Sequence, residues 1–129
     1  MLCSISELVI MIPSSNNIDV IVLGASPTGL YVVREAAKFG CRVAIADVNA
    51  GCAFHSRFVS SRDCFQGDLE SIERWMYSVA KSGINKPIII PTNDFFIEFI
   101  INNSSSLSFH FLFRPQRRGA PDDQSLHRF

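Results

Sequence analysis

The residues with the clearest chemical potential form a glycine-rich turn directly after a short apolar run. Gly24, Ser26 and Gly29 stand in the order G-x-S-x-x-G behind the run Val20–Leu23. Between a strand and a helix, such a turn presents backbone N–H groups to a phosphate or another anion. Ser26 stands where a dinucleotide-binding turn has its second glycine, and its Cβ weakens that match. The turn therefore has two interpretations: a nucleotide or anion contact, and a tight turn that needs no ligand.

An acidic residue follows the next apolar run. Asp47 ends the segment Arg42–Asp47 and lies 23 residues after Gly24. In a dinucleotide-binding unit, an acid near this spacing accepts a hydrogen bond from the ribose 2′-hydroxyl. The alternative interpretation is a carboxylate that caps a loop.

A third polar cluster follows the run Ile88–Ile90. Thr92, Asn93 and Asp94 come after Pro91, where the run ends. Because the carboxyl ends of parallel strands meet at one edge of a sheet, we expect this cluster to lie beside the first turn and form a crevice. The alternative is that Thr92 or Asp94 caps the following helix, which needs no ligand.

The dipeptide Ser56-Arg57 lies among aromatic residues and carries the remaining signal. Arg57 could pair with Asp47 or Asp94, or hold an anionic ligand. A structural salt bridge is the favoured interpretation. The sequence shows no Ser/His/Asp arrangement, no lysine placed as in a P-loop, and no cluster of metal ligands, so we assign no catalytic residue and no metal.

The segments between these motifs alternate between strand and helix patterns. Strands are predicted at 19–23, 42–47 and 88–90, with a short one near 58–60 or 64–65. Helices are predicted from about Thr28 to Phe39, ended by Gly40, and from the N-cap Asp68 to Gly83. This alternation predicts an α/β fold: a Rossmann-like three-layer domain with a mostly parallel sheet of four to five strands.

Two segments near the end of the domain have unusual patterns. In the predicted helix 93–102, the stretch Phe95–Ile101 contains Glu98 as its one charged residue. A helix that is apolar all round needs cover on more than one side, so we expect a missing domain or a second copy to cover it. The alternation of apolar and other residues over 107–113 predicts a strand.

Composition limits the remaining possibilities. The 129 residues are 47% hydrophobic and 19% charged, with 12 basic and 12 acidic side chains. This predicts a globular domain and gives no electrostatic reason to expect nucleic acid or a membrane as a partner. The four cysteines form no CxxC pair, which argues against zinc and favours a reducing, cytoplasmic compartment. We divide the chain into an N-terminal arm (1–18), the domain (19–113) and an irregular basic tail (114–129).

The run VIVLGASPTGLYVVREAAKFGCRVAIADV, followed by AFHSRF and IIIPTND, resembles the N-terminal domain of ATP-grasp carboxylate–amine ligases. This family includes relatives of carbamoyl-phosphate synthase and D-aspartate ligase, and its N-terminal unit is a Rossmann-like "pre-ATP-grasp" domain. The resemblance covers about residues 19–113. It implies that the substrate cleft is lined by Gly24, Ser26, Gly29, Thr92, Asn93 and Asp94. With the turn residue Thr28, Asp47 and Arg57, these form our candidate cleft.

The resemblance also implies what this chain lacks. In the family, ATP and Mg²⁺ are bound by an ATP-grasp domain that follows a linker helix and a central domain. Here the Arg-rich tail follows instead, as it would after a frameshift, an alternative exon or a misplaced gene boundary. We therefore expect a truncated ligase domain that is inactive alone. The alternatives are a stand-alone NAD(P)-binding domain of an oxidoreductase, with Asp47 on the ribose, and a non-catalytic module that pairs through the helix Phe95–Ile101.

Overall fold

A computed structural model describes residues 17–113, apart from the side chains of residues 61 and 62. Most of the predicted N-terminal arm and the whole predicted tail lie outside the described residues. Ile18, which the sequence division places in the arm, is buried in the core of the domain.

A four-stranded parallel sheet forms the centre of the described structure. Its strands are β1 (Val20–Leu23), β2 (Val43–Asp47), β3 (Val59–Gln66) and β4 (Ile88–Pro91). They lie in the order β3-β2-β1-β4, with Val20 opposite both Val43 and Ile88. Leu112 adds an isolated parallel bridge to Ile88 beyond β4. The predicted α/β class and parallel sheet are confirmed, and the strand order is that of the first four strands of a Rossmann fold.

Helices cover both faces of this sheet. They are α1 (Pro27–Lys38), a 3₁₀ helix (Cys52–His55), α2 (Leu69–Ser82), α3 (Asp94–Asn102) and α4 (Ser104–Leu107). One hydrophobic cluster joins the sheet to α1 and the 3₁₀ helix, and a larger one joins it to α2, α3 and α4. β1 sends Val20 and Val22 into the first cluster and Ile21 and Leu23 into the second. A strand covered on both faces needs this continuous apolar sequence.

The predicted ends of the helices are confirmed where local chemistry fixes them. Gly40 follows α1 with a φ of 82°, a left-handed conformation that glycine adopts without a Cβ clash. The Asp68 carboxylate accepts a hydrogen bond from the Ser71 N–H at 2.8 Å and caps α2. Gly83 is the C-cap residue of α2.

The predicted strand over 107–113 is wrong for most of its length. Leu107 ends α4, and its carbonyl accepts hydrogen bonds from the N–H groups of His110, at 3.0 Å, and Phe111, at 2.9 Å. Leu107 and Phe111 are both buried, and they lie four residues apart, which is one helical turn. Phe109 is 74% exposed. The alternation of apolar residues therefore fits both a strand and a helical turn. The packing of Leu107 and Phe111 into the core selects the helical turn.

The segment after β2 also differs from the prediction. β3 is one strand of eight residues with an irregular register against β2, rather than a short strand near 58–60 or 64–65. The 3₁₀ helix before it was not predicted. It occupies the position of the crossover helix between β2 and β3.

The apolar helix α3 is covered more than its sequence predicts. Phe96, Phe99 and Ile100 are buried in the core, whereas Phe95 is 50% exposed. The core covers the inner face of this helix, and the expectation that a missing domain or a second copy covers it concerns the outer face, where it stays a prediction. In the described part of the chain, no helix has the length and apolarity needed to span a membrane.

Candidate functional site

The strand order creates a switch point at the carboxyl edge of the sheet. From β1 the chain passes through α1 to β2 on one side, whereas β4 lies on the other side of β1. The turns that follow β1 and β4 therefore lead to helices on opposite faces. In open α/β sheets, ligands bind in the crevice at this position.

Thr92 joins the two turns that border this crevice. Its hydroxyl donates a hydrogen bond to the Leu23 carbonyl at 2.9 Å, and its N–H donates to the same oxygen at 3.0 Å. Gly24 has a φ of 121°, and a Cβ at this position would overlap the Thr92 hydroxyl oxygen. The glycine is therefore required both by its backbone conformation and by the threonine packed against it.

The cap of α3 is Asn93. Its side-chain oxygen accepts a hydrogen bond from the Phe96 N–H at 3.0 Å. The prediction that Thr92 or Asp94 caps this helix is therefore wrong, because Thr92 is used by the Leu23 carbonyl and Asp94 is already in the first turn. The exposed Asp94 carboxylate lies at the positive end of the helix dipole, which stabilises it there.

Asp47 joins the end of β2 to the turn after β1. One carboxylate oxygen accepts a hydrogen bond from the Ala25 N–H at 2.7 Å. The other accepts from the N–H groups of Val48, at 2.7 Å, and Asn49, at 3.3 Å. This geometry matches the loop-capping interpretation of Asp47. Both oxygens that a ribose hydroxyl would use already accept hydrogen bonds from the backbone.

The N-terminus of α1 offers the groups best placed for an anion. Ser26 is the N-cap residue, and within the described structure its side chain makes no capping hydrogen bond. Pro27 occupies the first helical position, where its missing N–H costs nothing. The N–H groups of Thr28 and Gly29 lie in the first turn, where a helix supplies no carbonyl to accept from them.

Close backbone packing explains the other glycines of this region. A Cβ at Gly29 would overlap the Gly24 carbonyl, so this glycine allows α1 to approach β1. A Cβ at Gly51 would overlap the Ala25 carbonyl, which also accepts a hydrogen bond from the Ala53 N–H at 3.0 Å. The roles of Ala25 and Gly51 are not visible in the sequence, since an alanine backbone gives no signal and a lone glycine gives a weak one.

The structure places Arg57 away from the crevice. Arg57 lies two residues before β3 begins, and it lines a small cavity with Cys41 and Val43, where β2 begins. In a parallel sheet this is the amino edge. The 3₁₀ helix carries the chain back to this edge. Among the described residues no ion pair joins Arg57 to Asp47 or Asp94; its guanidinium instead lies 5.1 Å from the centre of the Phe58 ring.

Eight of the nine candidate residues thus lie at the carboxyl edge or in the first turn of the helix that starts there. They are Gly24, Ser26, Thr28, Gly29, Asp47, Thr92, Asn93 and Asp94. Hydrogen bonds join Asp47 to Ala25 and Thr92 to Leu23, and the Thr92 side chain packs against Gly24. Arg57 is the exception.

Two further cavities lie outside this edge. An apolar groove of about 580 Å³ runs between β4 and α3 and is lined by Ile88, Ile90, Ile97, Ile101 and Leu112, among others. A second cavity of about 530 Å³ lies beside α1 and contains Arg34, His55 and Arg57. Among the described residues, no group of three or more His, Cys, Asp or Glu side chains could hold a metal ion.

A scan of protein-family models finds none that matches this chain, and a search of curated proteins finds no significant relative. The class is therefore defined by the fold itself. The chain contains a Rossmann-like α/β domain whose topological switch point lies between the turns after β1 and β4.

Proposed function

We propose that this domain is the N-terminal Rossmann-like unit of an ATP-dependent carboxylate–amine ligase of the ATP-grasp type, and that it is not catalytic alone. One observation carries the proposal. Two of the three motifs behind the sequence resemblance, Gly24–Gly29 and Pro91–Asp94, meet at the switch point through the hydrogen bonds of Thr92 to Leu23, whereas the third, Ser56-Arg57, lies toward the amino edge. Two weak motifs that form one structural unit are better support than either alone.

In this proposal the carboxyl edge forms one wall of the substrate cleft. The first turn of α1, with Ser26 and the N–H groups of Thr28 and Gly29, would attract the carboxylate of a substrate, because a helix N-terminus carries partial positive charge. Asp94, exposed on the facing turn, would favour a cationic amine. These groups would orient substrate, and none of them is assigned a bond-breaking step.

We assign neither ATP nor Mg²⁺ to the described residues. Among them, no group of three or more His, Cys, Asp or Glu side chains could hold a metal ion. When bound in a ligase of this family, ATP activates a carboxylate as an acyl phosphate, which an amine then attacks. The proposal therefore assigns both ATP and Mg²⁺ to an ATP-grasp domain outside residues 17–113.

The transcript provides the direct test. It is sequenced through and beyond the codon for Phe113, and all three frames are translated. We expect one frame to continue into an ATP-grasp domain with its ATP-binding lysine and acidic metal ligands. If no frame does so, the ligase proposal fails, and a stand-alone binding domain takes its place.

An NAD(P)-binding oxidoreductase domain is the second candidate, favoured by the strand order and by an acid at the end of β2. The fit of a dinucleotide is poor. Asp47 already accepts three backbone hydrogen bonds, and Ser26 places a Cβ where the pyrophosphate approaches. Calorimetric titration of the full chain with NADH and with ATP separates the candidates. Saturable NADH binding that is lost in Asp47→Asn would support the oxidoreductase.

The remaining parts of the proposal concern location and partners. Cys41, Cys52 and Cys64 are free thiols, and with the absence of a CxxC pair they favour a reducing, cytoplasmic compartment. The apolar groove between β4 and α3 would contact the rest of the ligase or, in the isolated chain, a second copy. Its lining is mostly isoleucine, which gains free energy when water is excluded.

A further inference from the structure

The cavity beside α1 concentrates positive charge in a way that the crevice does not. It is about 530 Å³ and contains Arg34 from α1, His55 from the 3₁₀ helix, and Arg57 from the loop that follows. None of the described residues that line it is acidic. Two guanidinium groups and an imidazole therefore share one concave surface without a carboxylate among them.

The cavity also has apolar walls. Leu30 lies one helical turn before Arg34 on α1, and Phe58 directly follows Arg57 in the sequence. Both residues line the cavity. The Arg57 guanidinium is held 5.1 Å from the centre of that ring. Cation–π contact of this kind orients the planar group and leaves its N–H donors free for an oxyanion.

We propose that this cavity binds a small phosphate ester that carries an apolar or aromatic group. The guanidinium groups of Arg34 and Arg57 bind the phosphate, because their fork of donors matches two oxyanion oxygens at once. Leu30 and Phe58 contact the apolar group. The site lies on the flank of α1, and of the nine candidate cleft residues Arg57 alone is among those that line it, so it does not depend on the ligase proposal.

Cys52 gives this cavity its own reporter. It is exposed and lines the cavity, whereas Cys41 and Cys64 are half-buried. The full chain is alkylated with neutral iodoacetamide, and labelling of Cys52 is followed by peptide mass spectrometry. Phenyl phosphate is the probe. We expect it to slow the labelling of Cys52 saturably, with benzoate and inorganic phosphate each protecting less.

Three variants make the test specific. Arg34→Gln and Arg57→Gln should each weaken phenyl phosphate binding about tenfold, as expected for loss of a charge-assisted pair. Arg74→Gln removes the same charge from an exposed position on α2 and should change nothing. Thr92→Val, at the crevice, should also leave binding unchanged. If Arg74→Gln weakens phenyl phosphate binding as much as Arg57→Gln does, general surface charge explains the binding and the proposal is overturned.

A second measurement tests the charge of the cavity without a bound ligand. Iodoacetate carries a negative charge and iodoacetamide does not, so the rate of alkylation of Cys52 by iodoacetate divided by its rate with iodoacetamide reports the local electrostatic potential. Arg57→Gln should lower this ratio roughly twofold or more, the size expected for one nearby charge in water. The proposal is overturned if phenyl phosphate fails to protect Cys52, if benzoate protects equally well, or if the ratio is unchanged.

Discussion

Thr92 uses its hydroxyl to connect two turns. The Leu23 carbonyl accepts from both the hydroxyl and the N–H of this residue, so Thr92→Val removes one of two hydrogen bonds and keeps the side-chain shape. We expect a loss of about 0.5–1.5 kcal/mol in the free energy of unfolding, measured by urea denaturation. Thr92→Ser retains the hydroxyl and should lose less. Equal losses in the two variants would mean that the methyl group, and not the hydrogen bond, holds the turns together.

A comparison of Gly24 with Gly40 separates the cost of the backbone conformation from the cost of a steric overlap when a glycine is replaced. Both have positive φ, but a Cβ at Gly24 would overlap the Thr92 hydroxyl oxygen, whereas a Cβ at Gly40 meets no atom within 4 Å. Gly40→Ala should cost about 1–2 kcal/mol through its backbone conformation. Gly24→Ala should cost clearly more, because Thr92 must also move. Thermal or urea unfolding of both variants tests this, and equal stability of the two would contradict the overlap.

At the scale of elements, the N-cap of α2 makes stability depend on pH. The hydrogen bond from the Ser71 N–H lowers the pKa of the Asp68 carboxyl below its ordinary value of 3.8. A lowered pKa in the folded state stabilises the protein above the ordinary value, and this contribution is lost as the pH falls through the lowered one. Asp68→Asn keeps a capping oxygen without this titration. The variant should therefore lose less stability than the parent between pH 4 and pH 2, measured by urea denaturation. Parallel pH profiles would contradict this.

The elements also show how far the sequence determines the fold. Local sequence signals made most elements predictable. Continuous apolar runs indicated β1, β2 and β4, and apolar residues at helical spacing with caps such as Asp68 indicated α1 and α2. The turn that follows α4 was not predictable, because Leu107 and Phe111 fit a strand and a helical turn equally well until the core covers both. At the carboxyl edge, residue types indicated the place. The choice between Thr92 and Asn93 as the helix cap was settled by the Leu23 carbonyl, 69 residues before Thr92 in the chain.

For the whole molecule, the separation of its surfaces matters most. The cationic cavity beside α1 and the apolar groove along β4 share no lining residue. A ligand at one can therefore leave the other accessible. We predicted from the sequence that Arg57 lies at the carboxyl edge. That prediction is wrong because no local pattern shows that a 3₁₀ helix, rather than a full crossover helix, returns the chain to the amino edge.

The apolar groove leads to a prediction about the molecule in solution. Ile88 is 43% exposed and Leu112 is 51% exposed, and both line the groove beside α3. We expect the full chain to self-associate through this surface, because excluding water from it is favourable. Sedimentation velocity should show the average mass rising with protein concentration. Leu112→Glu, at an exposed position in the groove, should reduce this association without unfolding the domain.

Ile84→Glu is the matched control, because Ile84 is 84% exposed and does not line the groove. It introduces the same charge and should leave the association unchanged. If both variants reduce association equally, net charge and not the groove controls it. If the unmodified chain is a monomer at every concentration, the groove is not a self-association surface. The expectation that the helix Phe95–Ile101 drives pairing then fails as well, since Phe96, Phe99 and Ile100 already belong to the core.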